Sequence, residues 1–254
     1  MALIPSTPVD KAALKAFGVN GYVYPLDEAL GINQLPYNVT LAAMLEVCRV
    51  ATKGESFEDA ENELKKYTKI LINDDTMRRI TNIIGSIVFE NDKIDAEKAW
   101  AQFNSANLVF SGKKINHTLY FEVDGAMLPT RQDNKKGSVY KENKLGMAFS
   151  SDNIHTWVDK HGKRQRQITR RRYTSYIGDS DFFSKLMLSL ALKSGYGEYV
   201  NTVLLSDGAT WIRNMKDSIF PEAQQILDFY HLKEHVSDYA KLLFDSNEEK
   251  YTSW

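Results

Sequence analysis

Hydrophobic residues in the first half of the chain recur at the three- and four-residue spacing of α-helices. The first run predicts a helix over about residues 39–51, whose apolar positions are Leu41, Met44, Leu45, Cys48, Val50 and Ala51. Ser56 followed by Asp59 forms a capping-box arrangement, which predicts a second helix that ends near Tyr67. Asp74 is predicted to cap a third helix, which contains Met77, Ile80, Ile84 and Ile87. Before these helices, residues 1–16 are predicted to form an irregular, Pro-rich arm.

Shorter apolar runs in the second half of the chain have the length of β-strands. Residues 120–127, 140–149 and 173–177 are predicted as three strands, and residues 181–192 as a helix. A strand at 202–205, a helix at 210–219, a strand at 225–227 and a helix at 231–244 follow. Residues 91–117 resemble a helical extension and a polar linker. We therefore expect two domains, 1–115 and 116–254.

Three strands, a helix, a strand, a helix and a strand are the element order of the ribonuclease-H-like fold. The pattern thus predicts an α/β protein in which a ribonuclease-H-like mixed sheet with flanking helices follows an all-helical N-terminal domain. In that fold the first strand lies beside the fourth. The three N-terminal helices resemble a helix-turn-helix unit, whose last helix would present Arg78 and Arg79 to a DNA groove. Scaffolding or a dimer contact is the alternative role of these helices.

An aspartate follows two of the predicted strands, each time within the sequence Asp-Gly-Ala. Asp124 follows the first strand, and Asp207 follows the strand that ends near Leu205. Ligands and metals collect outside the carboxyl ends of strands in open α/β sheets, so two such acids can share a divalent cation. Carboxylates suit Mg²⁺ or Mn²⁺, and a pair of these ions can promote phosphoryl transfer. The alternative is that Asp-Gly is only a turn dipeptide.

Positive charge is concentrated in one segment, although the formal net charge of the chain is −1. This basic segment runs from Lys160 to Arg172, and its charged residues are Lys160, Lys163, Arg164, Arg166, Arg170, Arg171 and Arg172. Such a block attracts the phosphate backbone of nucleic acids, so it predicts DNA binding. The alternative is a solvated hairpin or loop.

Composition and targeting features agree with an intracellular protein. The chain has one cysteine, Cys48, so no intramolecular disulfide can form. No stretch approaches the roughly 20 apolar residues that a membrane-spanning helix needs, and the N-terminus lacks the apolar region of a signal peptide. We expect a soluble, cytoplasmic protein that associates with the nucleoid.

Four segments together resemble the DDE-type transposases of bacterial insertion sequences: YPLDEALGI (24–32), VDGAM (123–127), SDGATWIRN (206–214) and FPEAQQILDFYHLKEH (220–235). The resemblance is to the Kra group, which is related to the Lre group and more distantly to Mutator-type enzymes. It implies that Asp124 and Asp207 are the first two catalytic acids and hold Mg²⁺ or Mn²⁺, with Asp228 and His231 in supporting positions. It also implies cleavage and strand transfer of double-stranded DNA at transposon ends, and a homodimer is an accompanying expectation.

The sequence departs from the family pattern near its C-terminal end. The family places a third catalytic acid, a glutamate, after a mostly helical insertion, whereas this sequence ends at Trp254. We therefore expect an incomplete, inactive catalytic domain; Glu234 and Asp238 are interpreted as a solvated pair. A non-catalytic DNA-binding product that competes with the full transposase is the alternative function. A minor alternative is a zinc peptidase, because His231, Glu234 and His235 form a His-x-x-Glu-His motif.

Overall fold

The computed structural model describes residues 31, 35–68, 70–106, 108, 114–131 and 138–244. Contacts divide the chain into two compact units, Met1–Asn91 and Asp92–Trp254. This division falls inside a long helix, whereas the expected domain boundary lies between residues 115 and 116. The arm expected over residues 1–16 lies outside the described residues.

The described part of the first unit is helical. Its helices are α1 (Leu41–Ala51), α2 (Phe57–Thr68) and α3 (Asp74–Asn104), and the last of these continues into the second unit. One apolar face of each helix contributes to a common core, which consists of Met44, Val47, Val50, Ala60, Leu64, Met77 and Ile80. Full burial of such side chains contributes about 1.5–3 kcal/mol each. Of the predicted apolar positions, Met44, Val50, Met77 and Ile80 are in this core, whereas Leu41, Leu45 and Ile87 are more than half exposed.

A side chain just before each of α1, α2 and α3 accepts a hydrogen bond from one of the first N–H groups of the helix. Ser56 Oγ accepts a hydrogen bond from Asp59 N at 3.1 Å and donates one to Asp59 Oδ2 at 2.7 Å, so the predicted cap of α2 is confirmed. At α3 the prediction was wrong by one residue. Asn73 Oδ1 accepts from Thr76 N at 2.9 Å, and Asp74 is the first helical residue. A capping residue must precede the helix to reach the third N–H inside it.

The second unit is an α/β fold with a mixed five-stranded sheet and flanking helices. Its strands are β1 (Ile115–Arg131), β2 (Ser138–Ser150), β3 (Ile154–Val158), β4 (Arg164–Ile168), β5 (Arg172–Ile177), β6 (Tyr199–Ser206) and β7 (Gln224–Leu227). Its helices are the end of α3, α4 (Ser180–Lys193), α5 (Thr210–Ile219) and α6 (Phe229–Leu243). The main elements match the predicted ones, with ends that differ by up to about five residues.

The strand order of the main sheet is β5-β2-β1-β6-β7. The pairs β1–β2 and β2–β5 are antiparallel, whereas β1–β6 and β6–β7 are parallel. The first strand is therefore central and lies beside β6, the strand predicted as the fourth. Strands β3 and β4 form a separate antiparallel hairpin between β2 and β5. The mixed sheet is compatible with the fold that the element order predicts.

One face of the sheet forms the core of the second unit. Alternate residues of β1 (Leu119, Phe121 and Val123) are at most 1% exposed. They pack with β6, the last turns of α3, and helices α4 and α5, through Leu204, Ala99, Phe183, Met187, Ile212 and Ile219. Since side chains alternate along a strand, the residues between them face the other way. Of the helices that the structure describes, none is long and apolar enough to cross a membrane.

Candidate functional site

Three aspartates stand where neighbouring parallel strands end their pairing. Val123 of β1 lies opposite Ser206 of β6, and Ser206 lies opposite Leu227 of β7. The next residue in each segment is an aspartate: Asp124, Asp207 and Asp228. Because neighbouring strands lie about 4.8 Å apart, the three residues occupy successive positions along one edge. We call them the aspartate edge.

Asp124 projects from the face of the sheet opposite to the core. Its neighbour Val123 is 1% exposed and belongs to the core, so alternation directs Glu122 and Asp124 to the other face. Asp124, Asp207 and Asp228 are all half-buried. The backbone supports the alignment, because Asp228 N donates a hydrogen bond of 2.8 Å to the carbonyl oxygen of Ser206.

A backbone N–H orients each of the three carboxylates. Oδ1 of Asp124, Asp207 and Asp228 accepts hydrogen bonds of 2.7, 2.8 and 2.7 Å from the N–H groups of Gly125, Ala209 and Tyr230, respectively. For Asp228 this bond is the N-terminal cap of α6. In the part of the chain that the structure describes, none of the three carboxylates forms an ion pair with a cationic side chain. Each therefore keeps a second oxygen that can bind a ligand.

The two Asp-Gly-Ala segments have different backbones. Gly208 has a φ of +86°, in the left-handed region, and a Cβ at this position would lie 3.1 Å from Leu227 Cδ1. Glycine adopts this conformation without strain, and it turns the chain from β6 into α5. Gly125 instead lies within β1, which continues to Arg131 and remains paired with β2. The turn interpretation therefore applies to the second copy only.

Glu122 is a fourth acid of this region, which the sequence analysis missed. The pKa of Glu122 is raised above its ordinary value, first by partial desolvation and then by the negative charges of Asp228 and Asp124. Arg171 acts in the opposite direction. The sequence could have indicated it, because Glu122 lies two residues before Asp124 and residues two apart on a strand share a face. Glu122 places a third negative charge within electrostatic range of Asp124 and Asp228.

Replacing Glu122 by glutamine is expected to stabilise the protein at pH 7. The folded chain holds the Glu122 proton more readily than the unfolded chain, so stability falls as pH rises from the ordinary pKa to the raised one. Above the raised pKa, Glu122 is charged in both the folded and the unfolded chain, and the full free-energy cost of its charge in the folded state is present. The glutamine variant does not carry this charge. Thermal unfolding should therefore show a higher Tm for Glu122→Gln at pH 7 and no difference below about pH 4. The exposed Glu222→Gln serves as the control, and an equal gain there would contradict the prediction.

The donor chemistry of the aspartate edge fits a divalent cation only in part. Asp124 and Asp207 offer carboxylate oxygens, the ligands that Mg²⁺ and Mn²⁺ prefer. However, among the described residues no group of three or more His, Cys, Asp or Glu side chains is arranged to hold a metal ion. The edge therefore offers carboxylate oxygens of the type that a divalent cation binds, but no group of three ligands among the described residues.

Glu234, Asp238 and His231 of α6 have partners on the same helix. His231 Nδ1 lies 3.9 Å from Glu234 Oε2, and Asp238 Oδ1 accepts a bond of 2.9 Å from Lys241 Nζ. The side chains of Glu234 and Asp238 are 77% and 69% exposed, which agrees with the expectation that they are solvated. Helix α6 starts at Phe229, so His231 lies in its first turn, close in sequence to Asp228.

The basic segment comprises the turn of the β3–β4 hairpin, strand β4 and the chain that leads into β5. Asp159 closes the hairpin turn: its Oδ1 accepts from His161 N at 2.9 Å and Lys163 N at 3.0 Å, and its Oδ2 accepts from Gln165 Nε2 at 2.8 Å. The charged residues of the segment are exposed, and within the described residues none is paired with a carboxylate: Lys160, Lys163, Arg164, Arg166, Arg170, Arg171 and Arg172. These cations are available to an external anion.

Unlike the arginines of the basic segment, Arg78 and Arg79 of the helical unit are paired with a carboxylate. Arg78 Nη2 lies 2.5 Å from Asp75 Oδ1, and Arg79 Nε lies 2.8 Å from Asp75 Oδ2. Both pairs are exposed, and the pairing lowers the pKa of the Asp75 carboxyl group. A phosphate group would have to compete with Asp75 for these arginines. The basic segment is therefore the stronger candidate for DNA binding.

Comparison of the chain with known protein families finds no family that matches, and no curated protein matches it either.

Proposed function

We propose that this chain is a DNA transposase of the DDE type, in which Asp124 and Asp207 hold Mg²⁺ or Mn²⁺ for phosphoryl transfer on double-stranded DNA. The observation that carries the proposal is the strand register. It pairs Val123 with Ser206, so Asp124 and Asp207 each follow a paired position on neighbouring strands although the two residues are 83 positions apart in the sequence. Two acids that follow neighbouring parallel strands stand where ligands bind in open α/β sheets, which supports a cation site there.

The sheet topology supports a ribonuclease-H-like catalytic domain. Its central strand β1 has one antiparallel and one parallel neighbour, and α4 and α5 connect the successive parallel strands. In the resembling family, the first acid lies on the central strand and the second follows its parallel neighbour. Asp124 and Asp207 have these positions here. The β3–β4 hairpin is an addition to this plan, and it carries part of the basic segment.

The chain's own residues would perform three tasks. The backbone N–H groups of Gly125 and Ala209 orient the two carboxylates and leave one oxygen of each available. A divalent cation bound there supplies Lewis-acid polarisation of a phosphate oxygen and lowers the pKa of a bound water molecule. The basic segment attracts the DNA backbone, and Arg171 is the member of that segment whose charge reaches Glu122, beside the aspartate edge.

A second candidate function is DNA binding without catalysis, by a chain that occupies transposon ends and competes with an active transposase. One observation favours it: in the described residues the aspartate edge lacks a third ligand arranged for a metal ion. Two carboxylates hold one cation weakly, and the attacking and leaving oxygens are not both clamped by a pair of ions. Each loss of about 1.4 kcal/mol in transition-state stabilisation slows the reaction about tenfold. We therefore expect slow cleavage, or none, from residues 1–254.

A cleavage assay separates the two candidates. Purified protein is incubated with Mg²⁺ or Mn²⁺ and with a duplex taken from the DNA that flanks its own gene. Asp124→Asn and Asp207→Asn are compared with Asp217→Asn, an exposed aspartate of α5. Cleavage that only the first two variants lose would assign catalysis to the aspartate edge. DNA binding without cleavage would favour the second candidate. If the protein does not bind duplex DNA, both candidates are wrong.

A further inference from the structure

A basic pocket lies at the end of the main sheet opposite to the aspartate edge. It has a volume of about 270 Å³, and its polar lining includes Ser150, Asp152, Arg170, Arg171, Arg172 and Lys193. Leu119 and Tyr199, near the starts of β1 and β6, also line it. Leu119 precedes Asp124 by five residues, so the pocket is about 16 Å from the aspartate edge along the strand. The pocket and the aspartate edge therefore lie towards different ends of the same strands.

The free positive charge of the pocket comes from its arginines. Lys193 is already paired, with Nζ 2.8 Å from Asp95 Oδ2 and 3.5 Å from Asp92 Oδ1. Within the described residues, Arg170, Arg171 and Arg172 form no ion pair with a carboxylate, and Asp152 is the one acid in the lining of the pocket. Three unpaired guanidinium groups against one carboxylate leave the pocket positive. Guanidinium groups match the oxygens of phosphate in geometry as well as in charge.

A buried hydroxyl group in the same pocket lacks a partner. Ser150 is 3% exposed, and its Oγ forms no hydrogen bond with any residue that the structure describes. Buried polar side-chain atoms rarely lack a hydrogen-bond partner, and an atom without one often indicates a bound water, ion or ligand. Ser150 is one of the residues that line the pocket, so the oxygen of a bound anion is a candidate acceptor for its hydroxyl proton. This observation is independent of the arginines, since it concerns a neutral side chain on β2.

The C-terminus of α4 also reaches the pocket, but its carbonyl groups are already bonded. Leu190 O accepts from Ser194 Oγ at 2.8 Å, and Leu192 O accepts from Gly195 N at 3.0 Å. Ala191 O accepts from the N–H groups of Ser194 and Tyr196 at 3.0 and 2.9 Å. A helix C-terminus with free carbonyl groups would repel an anion. Here the last turn is capped, so this repulsion is reduced.

We propose that the pocket binds a phosphate group, with the Ser150 hydroxyl donating to one oxygen and the arginine guanidinium groups pairing with the others. The phosphate can belong to a DNA backbone or be a free inorganic ion. The inference goes beyond the proposed function, because it requires neither a cation at the aspartate edge nor cleavage of DNA.

The test uses inorganic phosphate at constant ionic strength, with chloride as the reference anion. Phosphate should raise the Tm of the native protein more than chloride does, because a ligand that binds only the folded state stabilises it. Ser150→Ala should be at least as stable as the native protein without phosphate, and its phosphate affinity should be about tenfold weaker, since it loses one bond to a charged group. A merely structural Ser150 would instead lower the basal stability of the variant and leave its phosphate affinity unchanged.

Arg172→Gln provides a second variant, and Arg166→Gln, on β4 outside the pocket, is its matched control. Of these two arginine variants, only Arg172→Gln should bind phosphate more weakly than the native protein. Equal Tm shifts from phosphate and chloride, or equal phosphate affinities in the native protein, Ser150→Ala and Arg172→Gln, would overturn the proposal.

Duplex DNA identifies the source of the phosphate. If Ser150→Ala also weakens DNA binding, and inorganic phosphate displaces DNA at constant ionic strength, the pocket holds a backbone phosphate. If Ser150→Ala loses phosphate affinity and keeps DNA affinity, the ligand is a free phosphate. Both outcomes support a phosphate site, and the inorganic phosphate measurement remains decisive even if the chain proves unable to bind or cleave DNA.

Discussion

Replacing Asp207 by asparagine is expected to weaken Mn²⁺ binding to this chain about 100-fold. Loss of a residue that only supports a metal ligand typically costs 10–100-fold in affinity, so loss of one of two direct ligands should reach the upper end of that range. The substitution is conservative in shape. The asparagine side chain keeps an Oδ1 that can accept the hydrogen bond from Ala209 N, which in the native chain is 2.8 Å long. The lost affinity then reports on the charge and not on a disrupted turn.

Mn²⁺ titration followed by electron paramagnetic resonance measures the affinity directly. Asp217→Asn, on an exposed face of α5, should bind Mn²⁺ as the native protein does. Without metal, Asp207→Asn should be at least as stable as the native chain, because it removes one of two neighbouring negative charges. Asp228→Asn keeps the cap of α6 in the same way and shows whether Asp228 is a ligand or only a cap. Equal Mn²⁺ affinity in the native and Asp207→Asn proteins would show that the aspartate edge is not a cation site.

Local pattern was sufficient to predict the main helices and strands. The repeats of apolar residues at Met77, Ile80 and Ile84 and at Leu119, Phe121 and Val123 reflect one buried face of a helix and of a strand. Burial imposes that periodicity, so it can be recognised without knowledge of the rest of the chain. The element ends were less accurate. Strand β1 continues to Arg131, beyond the predicted Met127, because pairing with β2 holds it there after β6 has ended.

The neighbours of each acid depend on strand register, which local pattern does not contain. Asp228 was predicted to follow a strand and to support the site, and it stands in line with Asp124 and Asp207 because β7 pairs with β6 in one particular register. Glu122 was overlooked because nothing in the local pattern distinguishes it from an ordinary solvent-facing acid. Its raised pKa arises from partial desolvation and from the charges of Asp124 and Asp228, and Asp228 is distant in the sequence.

The basic segment shows a similar limit. Its positive charge was evident from composition, which left open whether the segment is a solvated hairpin or a DNA-binding surface. The structure shows that the segment has two structurally different parts. Arg164 and Arg166 lie on the hairpin strand β4, whereas Arg170, Arg171 and Arg172 lead into the main sheet and line the pocket with Ser150. Because convergence of these side chains with a buried hydroxyl is a tertiary property, no count of charges could reveal it.

Replacing Arg170, Arg171 and Arg172 by alanine is expected to weaken binding to unrelated duplexes alike and to reduce its salt dependence. Each arginine that contacts a phosphate contributes about 0.9 to the slope of log affinity against log salt concentration, so the slope should fall by up to about 3. Three such contacts make the affinity fall by an additional factor of about 40 between 50 and 200 mM salt. The effect should not depend on sequence, because phosphate contacts position a protein on DNA and carry no base information.

A matched triple variant, with Lys160, Lys163 and Arg164 replaced by alanine, removes the same number of charges from the hairpin end of the segment. Fluorescence anisotropy over a series of salt concentrations gives both slopes. If only the first triple variant lowers the slope, DNA lies against the arginines that lead into the main sheet, where Arg171 is close enough to influence Glu122. If both lower it equally, the whole segment tracks the backbone. An unchanged slope in the first variant would mean that these arginines do not contact DNA, and the DNA-binding part of the proposed function would lose its main support.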